Sequence, residues 1–169
     1  MKNNTLMTDD YEYTMAHSYF KNGMLNTTTY FDIFFRNNPF QGGYAISCGL
    51  DNIINFIQNI NFDEVRIKFL RERHNFDEDF LEYLANLKFT GDIFAIPDGT
   101  VVFPNEPVIT VRANAVEAQI LETALLSYFN HGHIIATSAK RITEAAQGRP
   151  VMEFGARRCH GEASIEASP

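Results

Sequence analysis

Tryptophan is missing from this sequence, and cysteine occurs only twice, as Cys48 and Cys159. Two thiols so far apart build neither a disulfide framework nor a zinc site, and they suit a reducing compartment. No run approaches the ~20 apolar residues of a membrane span. The opening MKNNTLMTDDYEYTMAH lacks the apolar core of a secretory signal, so a cytoplasmic protein is expected. No basic run interleaves with aromatics, and a net charge of -7 supplies no field to gather phosphates. Nucleic acid and membrane are therefore not expected partners. Internal repeats and low-complexity segments are absent as well.

What is present is a globular composition, 45% hydrophobic and 13% aromatic. The length suits one ordinary domain, or a small domain with part of another. TDDYEYTMAHSYFKNG predicts a helix. Asp9 as N-cap with Glu12 three residues on makes a capping box, Met15 and Tyr19 are four apart, as are Ala16 and Phe20, and Gly23 supplies the stop. In TTTYFDIFFR, Phe31, Ile33 and Phe35 alternate with Tyr30, Asp32, Phe34 and Arg36, a strand with one apolar face. NNPFQGGY breaks the chain. Leu50, Ile53, Ile54 and Ile57 then form a helical stripe, and FDEVRIKFLRER and FDEDFLEYLANLK open with acids, as short helices do. From Gly91 the period changes. GDIFAIPDGTVVFPNEPVITVRA holds three β-rich runs split by PDG and PNEP, expected as a small antiparallel meander. The long stretch from Ala115 to Gly148 is helical, with Val116, Ile120, Ala124 and Tyr128 stepping by four and Leu121 and Leu125 doing the same. Gly132 is a candidate point of division into two helices. RPVMEFGARR closes as a short strand. The composition shift near Ala113 is the expected boundary between an N-terminal α+β domain over 1–112 and the start of an α/β unit over 113–169.

Four places carry candidate chemistry. Asp9 and Tyr11 stand at a helix start, where capping and packing explain them as well as a ligand does. FRNNPFQGGY with Arg36 is either a ligand loop or a plain connection turned by Gly42 and Gly43, and it lacks the lysine and glycine spacing of a phosphate loop. His131 and His133 flank a glycine with no third ligand at metal spacing, so a helix-end or loop role is expected and a metal is not. VMEFGARRCHG is the strongest of the four. On a strand, at most one of Arg157 and Arg158 faces a given cavity. A guanidinium there forks onto a carboxylate or phosphate, Phe154 offers a flat apolar ring, and Gly155 lets a ligand approach the backbone. A solvated strand end competes with that reading, because arginines are mostly exposed. No nucleophile stands beside a base.

LMTDDYEYTMAHSYF resembles the opening signature of the nicotinate phosphoribosyltransferase family. FFRNNPFQGGYAISCGL, FTGDIFAIPDGTVVFPNEPVITV, EAQILETALLSYFN and VMEFGARRCHG resemble its later blocks in the same order, over about Leu6 to Ile165. The fold this resemblance implies is an α+β N-terminal domain followed by the start of an incomplete α/β barrel, of the type II phosphoribosyltransferase kind. The implied reaction joins nicotinate to 5-phosphoribosyl-1-pyrophosphate, releasing pyrophosphate with coupled ATP hydrolysis, in NAD salvage. Homodimers with active sites at the interface are implied too. Tyr11 then reaches in from the neighbouring subunit to stack on the pyridine, with Asp9 on its flank, and Phe154 covers the other face. Arg157 or Arg158 lies near the ribosyl phosphate or another anion. The nicotinamide- and quinolinate-using sister families share the first-helix signature, but PDGTVVFPNEP and FGARR fit the nicotinate family better.

Full members of the family are much longer. Their phosphorylated histidine, magnesium-binding acids and ribosyl-phosphate loop are implied to lie beyond Pro169, so ATP and Mg2+ are expected for the full-length family with no binding residue in this chain. The expectation is a truncated or split product, inactive alone. It would associate with itself or with the missing part through a face carrying Leu121, Leu125, Ile134, Ile135 and Ile142. The alternative is a non-catalytic fragment that docks on a full-length subunit.

Overall fold

The computed structural model describes residues 3–158. In chain order the elements are α1 (Asp10–Lys21), a 3-10 turn at Met24–Asn26, β1 (Thr28–Ile33), a 3-10 turn at Pro39–Gln41, β2 (Ala45–Ile46) and α2 (Leu50–Gln58). They continue with α3 (Glu64–Arg73), α4 (Glu78–Ala85), β3 (Asp92–Ala95), β4 (Val101–Val102), β5 (Ile109–Asn114), α5 (Ala115–Ala146) and a 3-10 turn at Ala156–Arg158. Two compact units form, and neither is a single stretch of chain. One gathers the residues up to Phe31 with Ile53–Phe94 and Thr110–Leu125. The other gathers Asp32–Asn52, Ala95–Ile109 and the residues from Leu126 onward.

The first unit is built on aromatic packing between α1 and α4. The His17 ring lies 4.9 Å from Phe76 and 5.0 Å from Phe80, while Phe20 meets both Phe80 and Tyr83 at 5.4 Å. Tyr13 sets its edge on Phe62 from the buried side of α1. Asp63 caps α3 by accepting from the Arg66 backbone N–H. At α1 the capping box does not form. Asp9 stands at the N-cap with extended backbone, yet no side chain caps the helix, because Glu12 turns inward to meet Gln119 of α5. The stop at Gly23 does form, with φ +72 in the left-handed region. The apolar stripe of α2 runs through Ile53, Phe56 and Ile57, and Ile54 points to solvent instead.

Among the described residues five strands divide into two sheets, one ordered β1-β5-β3 and the other β2-β4. The three β-rich runs after Gly91 therefore exist, but not as a meander. In the second unit β4 pairs antiparallel with β2, Ala45 opposite Val102 and Ile46 opposite Val101. The backbone of the PDG turn explains the change: Gly99 N–H donates to the Ser47 carbonyl and Ser47 N–H to the Thr100 carbonyl, both at 2.8 Å. Those bonds attach the turn to the segment around Ser47 rather than to its sequence neighbours. Along β1, Tyr30 and Asp32 are exposed and Ile33 is buried, the alternation of a one-faced strand.

Helix α5 is 32 residues long and runs unbroken through Gly132. Its start is well capped: Asn114 Oδ1 accepts from the N–H groups of Val116 and Glu117, and Asn114 Nδ2 donates to the Glu117 carboxylate at 2.8 Å. Gly132 does not divide the helix. It lies against the Cys48 carbonyl, where a Cβ would come within 2.5 Å of the oxygen. In the second unit Phe129, His133 and Thr137 occupy one face at four-residue spacing. The Phe129 and His133 rings stack at 4.7 Å, Phe35 packs on His133 at 5.1 Å, and Thr137 Oγ1 accepts from the Ile46 N–H at 2.9 Å. His133 is thus a core residue inside a helix, and not at a helix end or in a loop. The expected strand over 151–158 does not form either: residues 151–155 are irregular and Ala156–Arg158 is a 3-10 turn. Among the described residues no strand pairs with this segment, and its backbone closes local bonds such as Arg158 N–H to the Gly155 carbonyl at 2.7 Å.

Candidate functional site

In the first unit a polar cluster forms where the start of α1 meets the first turns of α5. Glu12 is 0% exposed. The Gln119 side-chain amide has two hydrogens and uses both on carboxylates, donating to Glu12 and, at 3.0 Å, to Glu122. Thr123 Oγ1 accepts from the Asp9 N–H at 3.2 Å and lies 3.4 Å from the second oxygen of Glu12. Burial pushes the Glu122 carboxyl above its ordinary range, and the nearby Glu12 charge adds to this. Tyr11 stands at the rim, 52% exposed. The Glu12 carboxylate, next to it in sequence, raises the Tyr11 phenol to about 12. The result is a flat, neutral ring presented to solvent above a rigid acidic floor, suited to stacking rather than to proton transfer.

In the second unit the late turns of α5 and the segment after Arg149 bound a cavity of ≈ 510 Å³, whose walls include Phe40, Ile134, Ile135, Ile142, Arg149 and Glu153. Phe154, Arg157 and Arg158 are not among its lining residues. The Phe154 ring is 67% exposed, and Arg157 Nη1 donates to the Phe154 backbone carbonyl at 2.8 Å. In a 3-10 turn, successive side chains stand about 120° apart, so the opposite-faces argument for Arg157 and Arg158 does not hold here. The space at Gly155, expected to admit a ligand, is taken by the Glu153 carboxylate. Cys159 and the residues after it lie outside the described residues.

Leu121 and Leu125 are already buried within the chain, whereas Ile134 and Ile142 are exposed. The open apolar face of α5 is thus shorter than the helical pattern predicts. In the loop before β2, Gly42 has a definite partner: the Arg141 guanidinium occupies the space of its missing Cβ. That guanidinium lies over the Phe40 and Tyr44 rings at 5.5 and 5.9 Å and donates to the Tyr44 carbonyl. This loop is a cation seat filled by the chain's own arginine. No group of three or more His, Cys, Asp or Glu among the described residues can hold a metal ion.

Sequence reasoning missed the Glu12–Gln119–Glu122 cluster. A signal existed: EAQILET places four polar residues along a helix whose neighbours Val116, Ala118, Ile120 and Leu121 are all apolar. Gln119 is buried with them, which demands a polar partner.

A family model for the nicotinate phosphoribosyltransferase N-terminal domain matches residues 6–130. A nicotinate phosphoribosyltransferase of Mycobacterium tuberculosis is 44% identical over 156 residues, covering 92% of this chain and 34% of that protein. One from Bacillus subtilis is 40% identical, covering 92% of this chain and 32% of its own length. Among solved structures, human nicotinic acid phosphoribosyltransferase superposes with a TM-score of 0.86 at 30% identity, over 95% of this chain and 33% of that one. A nicotinate-nucleotide pyrophosphorylase from Pyrococcus furiosus, at TM-score 0.70 and 21% identity, shares the fold. The chain spans about a third of the length of these proteins. With its N-terminal domain matched from residue 6 to residue 130, the chain belongs to the nicotinate phosphoribosyltransferase family.

Proposed function

We propose that this chain is the ring-binding, amino-terminal portion of a nicotinate phosphoribosyltransferase, and that it needs the remaining two thirds of such an enzyme to turn over. The family match over residues 6–130 carries this reading. The half-exposed Tyr11 supports it, since a neutral ring fixed at a rim is what one face of a flat pyridine requires. In the reaction, the nicotinate nitrogen bonds to the anomeric carbon of phosphoribosyl pyrophosphate as the bond to pyrophosphate breaks. Acceleration comes from orientation and charge stabilisation, with no covalent enzyme intermediate. Tyr11, flanked by Asp9, is donated to a neighbouring subunit of a dimer. Phe154 covers the second face of the ring, and Arg157 or Arg158 meets an anionic group. For that to happen, the segment after Arg149 must take up the strand conformation that a barrel partner would supply. Residues 113–169 are then the opening of the α/β barrel, and ATP and Mg2+ bind elsewhere in the full enzyme, in the cytoplasm.

A full-length relative lacking its own tyrosine at the Tyr11 position provides the test. Mixed with this chain, it should recover phosphoribosyl transfer, and the chain carrying Tyr11→Ala should restore nothing. Equal recovery with both chains, or turnover by the purified chain alone, overturns the proposal. A second reading, a non-catalytic fragment that docks on a full-length subunit, is favoured by the exposed Ile134 and Ile142. In that case the same mixture loses activity in proportion to the chain added.

A further inference from the structure

In the second unit, the backbone N–H and C=O groups of Val151, Met152 and Glu153 have no partner among the described residues. The side chains there alternate. Val151 and Glu153 line the cavity, while Met152 and Phe154 do not and are 70% and 67% exposed. Alternation of this kind belongs to an extended chain, and an extended chain with an open row of donors and acceptors is a template for pairing. The charges say which chain fits it. Arg149 and Glu153 are both exposed, and neither has an ion-pair partner among the described residues; one Glu153 oxygen accepts from the Gly155 N–H. They stand at equal spacing on either side of Val151. If two copies of the segment run antiparallel about a two-fold axis at Val151, Arg149 faces the partner's Glu153 and Glu153 faces the partner's Arg149. Backbone chemistry selects the same register. With Val151 opposite itself as a hydrogen-bonded pair, Pro150, which has no N–H, falls on the edge away from the partner. Val151 N–H then donates to the carbonyl of the partner's Val151, and Glu153 N–H to the carbonyl of the partner's Arg149. The ladder ends there, because the Arg149 N–H is already bonded to the Ala146 carbonyl at 3.1 Å. A register centred on Gly155 would also set Glu153 against Arg157, but Ala156–Arg158 is a 3-10 turn and does not extend. We propose that residues 149–153 form a self-complementary edge through which two copies of this chain pair as an antiparallel ribbon. The proposal goes beyond the reading of Tyr11 and does not rest on it.

Sedimentation of the purified chain over a concentration series gives the dimer dissociation constant. Arg149→Glu and Glu153→Arg each set like charges against each other at both ends of the ribbon, and each should weaken pairing by about tenfold or more. The double variant carrying both changes restores opposite charges at both ends and should dimerise as the parent does. An equimolar mixture of the two single variants should do the same, as a heterodimer. A variant that failed to fold could not be rescued by mixing, so the mixture separates lost charge from lost structure. Val151→Pro, which removes the central donors, should be monomeric. A monomeric parent, single variants that pair as the parent does, or a charge-swapped double variant that stays monomeric each overturn the proposal. Those results would leave this edge to a strand of another protein, such as the rest of a full-length enzyme. Tyr11 takes no part in these measurements, so this claim and the proposed function fail separately.

Discussion

At the residue scale, the His133 ring is enclosed by Phe35 and Phe129, with Nδ1 2.9 Å from the Phe129 carbonyl. A carbonyl accepts, so Nδ1 carries the proton of the neutral ring. Burial holds this imidazole below its ordinary pKa. The folded state therefore binds fewer protons than the unfolded chain once pH drops below about 6.5, the ordinary histidine value. The stability it contributes is present above that pH and is lost as pH falls. Urea denaturation at a series of pH values should show a shallower acid-side decline in His133→Phe than in the parent chain. Parallel curves would refute it. Position 133 was not legible as core, because only the packed helix shows that Phe129 and Phe35 enclose it. The same limit applied to Glu12. Its spacing from Asp9 fits a capping box, and the choice between that and Gln119 is made by an element more than a hundred residues away in sequence.

At the scale of elements, glycine in a helix interior normally costs about 1 kcal/mol relative to alanine. Gly132→Ala would gain that amount on an isolated helix. Here the added carbon would meet the Cys48 carbonyl at 2.5 Å, and backbone does not yield as a side-chain tip does. Gly132→Ala should therefore destabilise the chain by about 1–3 kcal/mol, the range for overpacking, read as a lower urea midpoint with α5 still helical by circular dichroism. A rise in the midpoint would show that the loop moves aside. Most of the helices were legible from their apolar spacing and acidic starts. The strands were legible as runs but not as pairs: nothing local in VVFPNEP says that β4 joins Ala45–Ile46. The terminal VMEFG has strand composition too, yet composition cannot supply the neighbour that a strand needs.

For the whole molecule, Ile134, Ile142, Val151, Met152 and Phe154 are all exposed in the second unit. Exposed apolar side chains in such number mark association surfaces. The chain should self-associate at micromolar concentration, and Ile142→Lys should raise the monomer fraction in light scattering while moving the melting free energy by no more than about 0.5 kcal/mol, as surface changes do. A parent chain that stays monomeric would contradict this. The interleaving of segments has a longer reach. Because α5 begins among the residues of one unit and ends among those of the other, no single cut liberates either unit whole. Recombination could not have traded one of them between genes as a cassette, and anyone transplanting this domain must carry the full helix along with it.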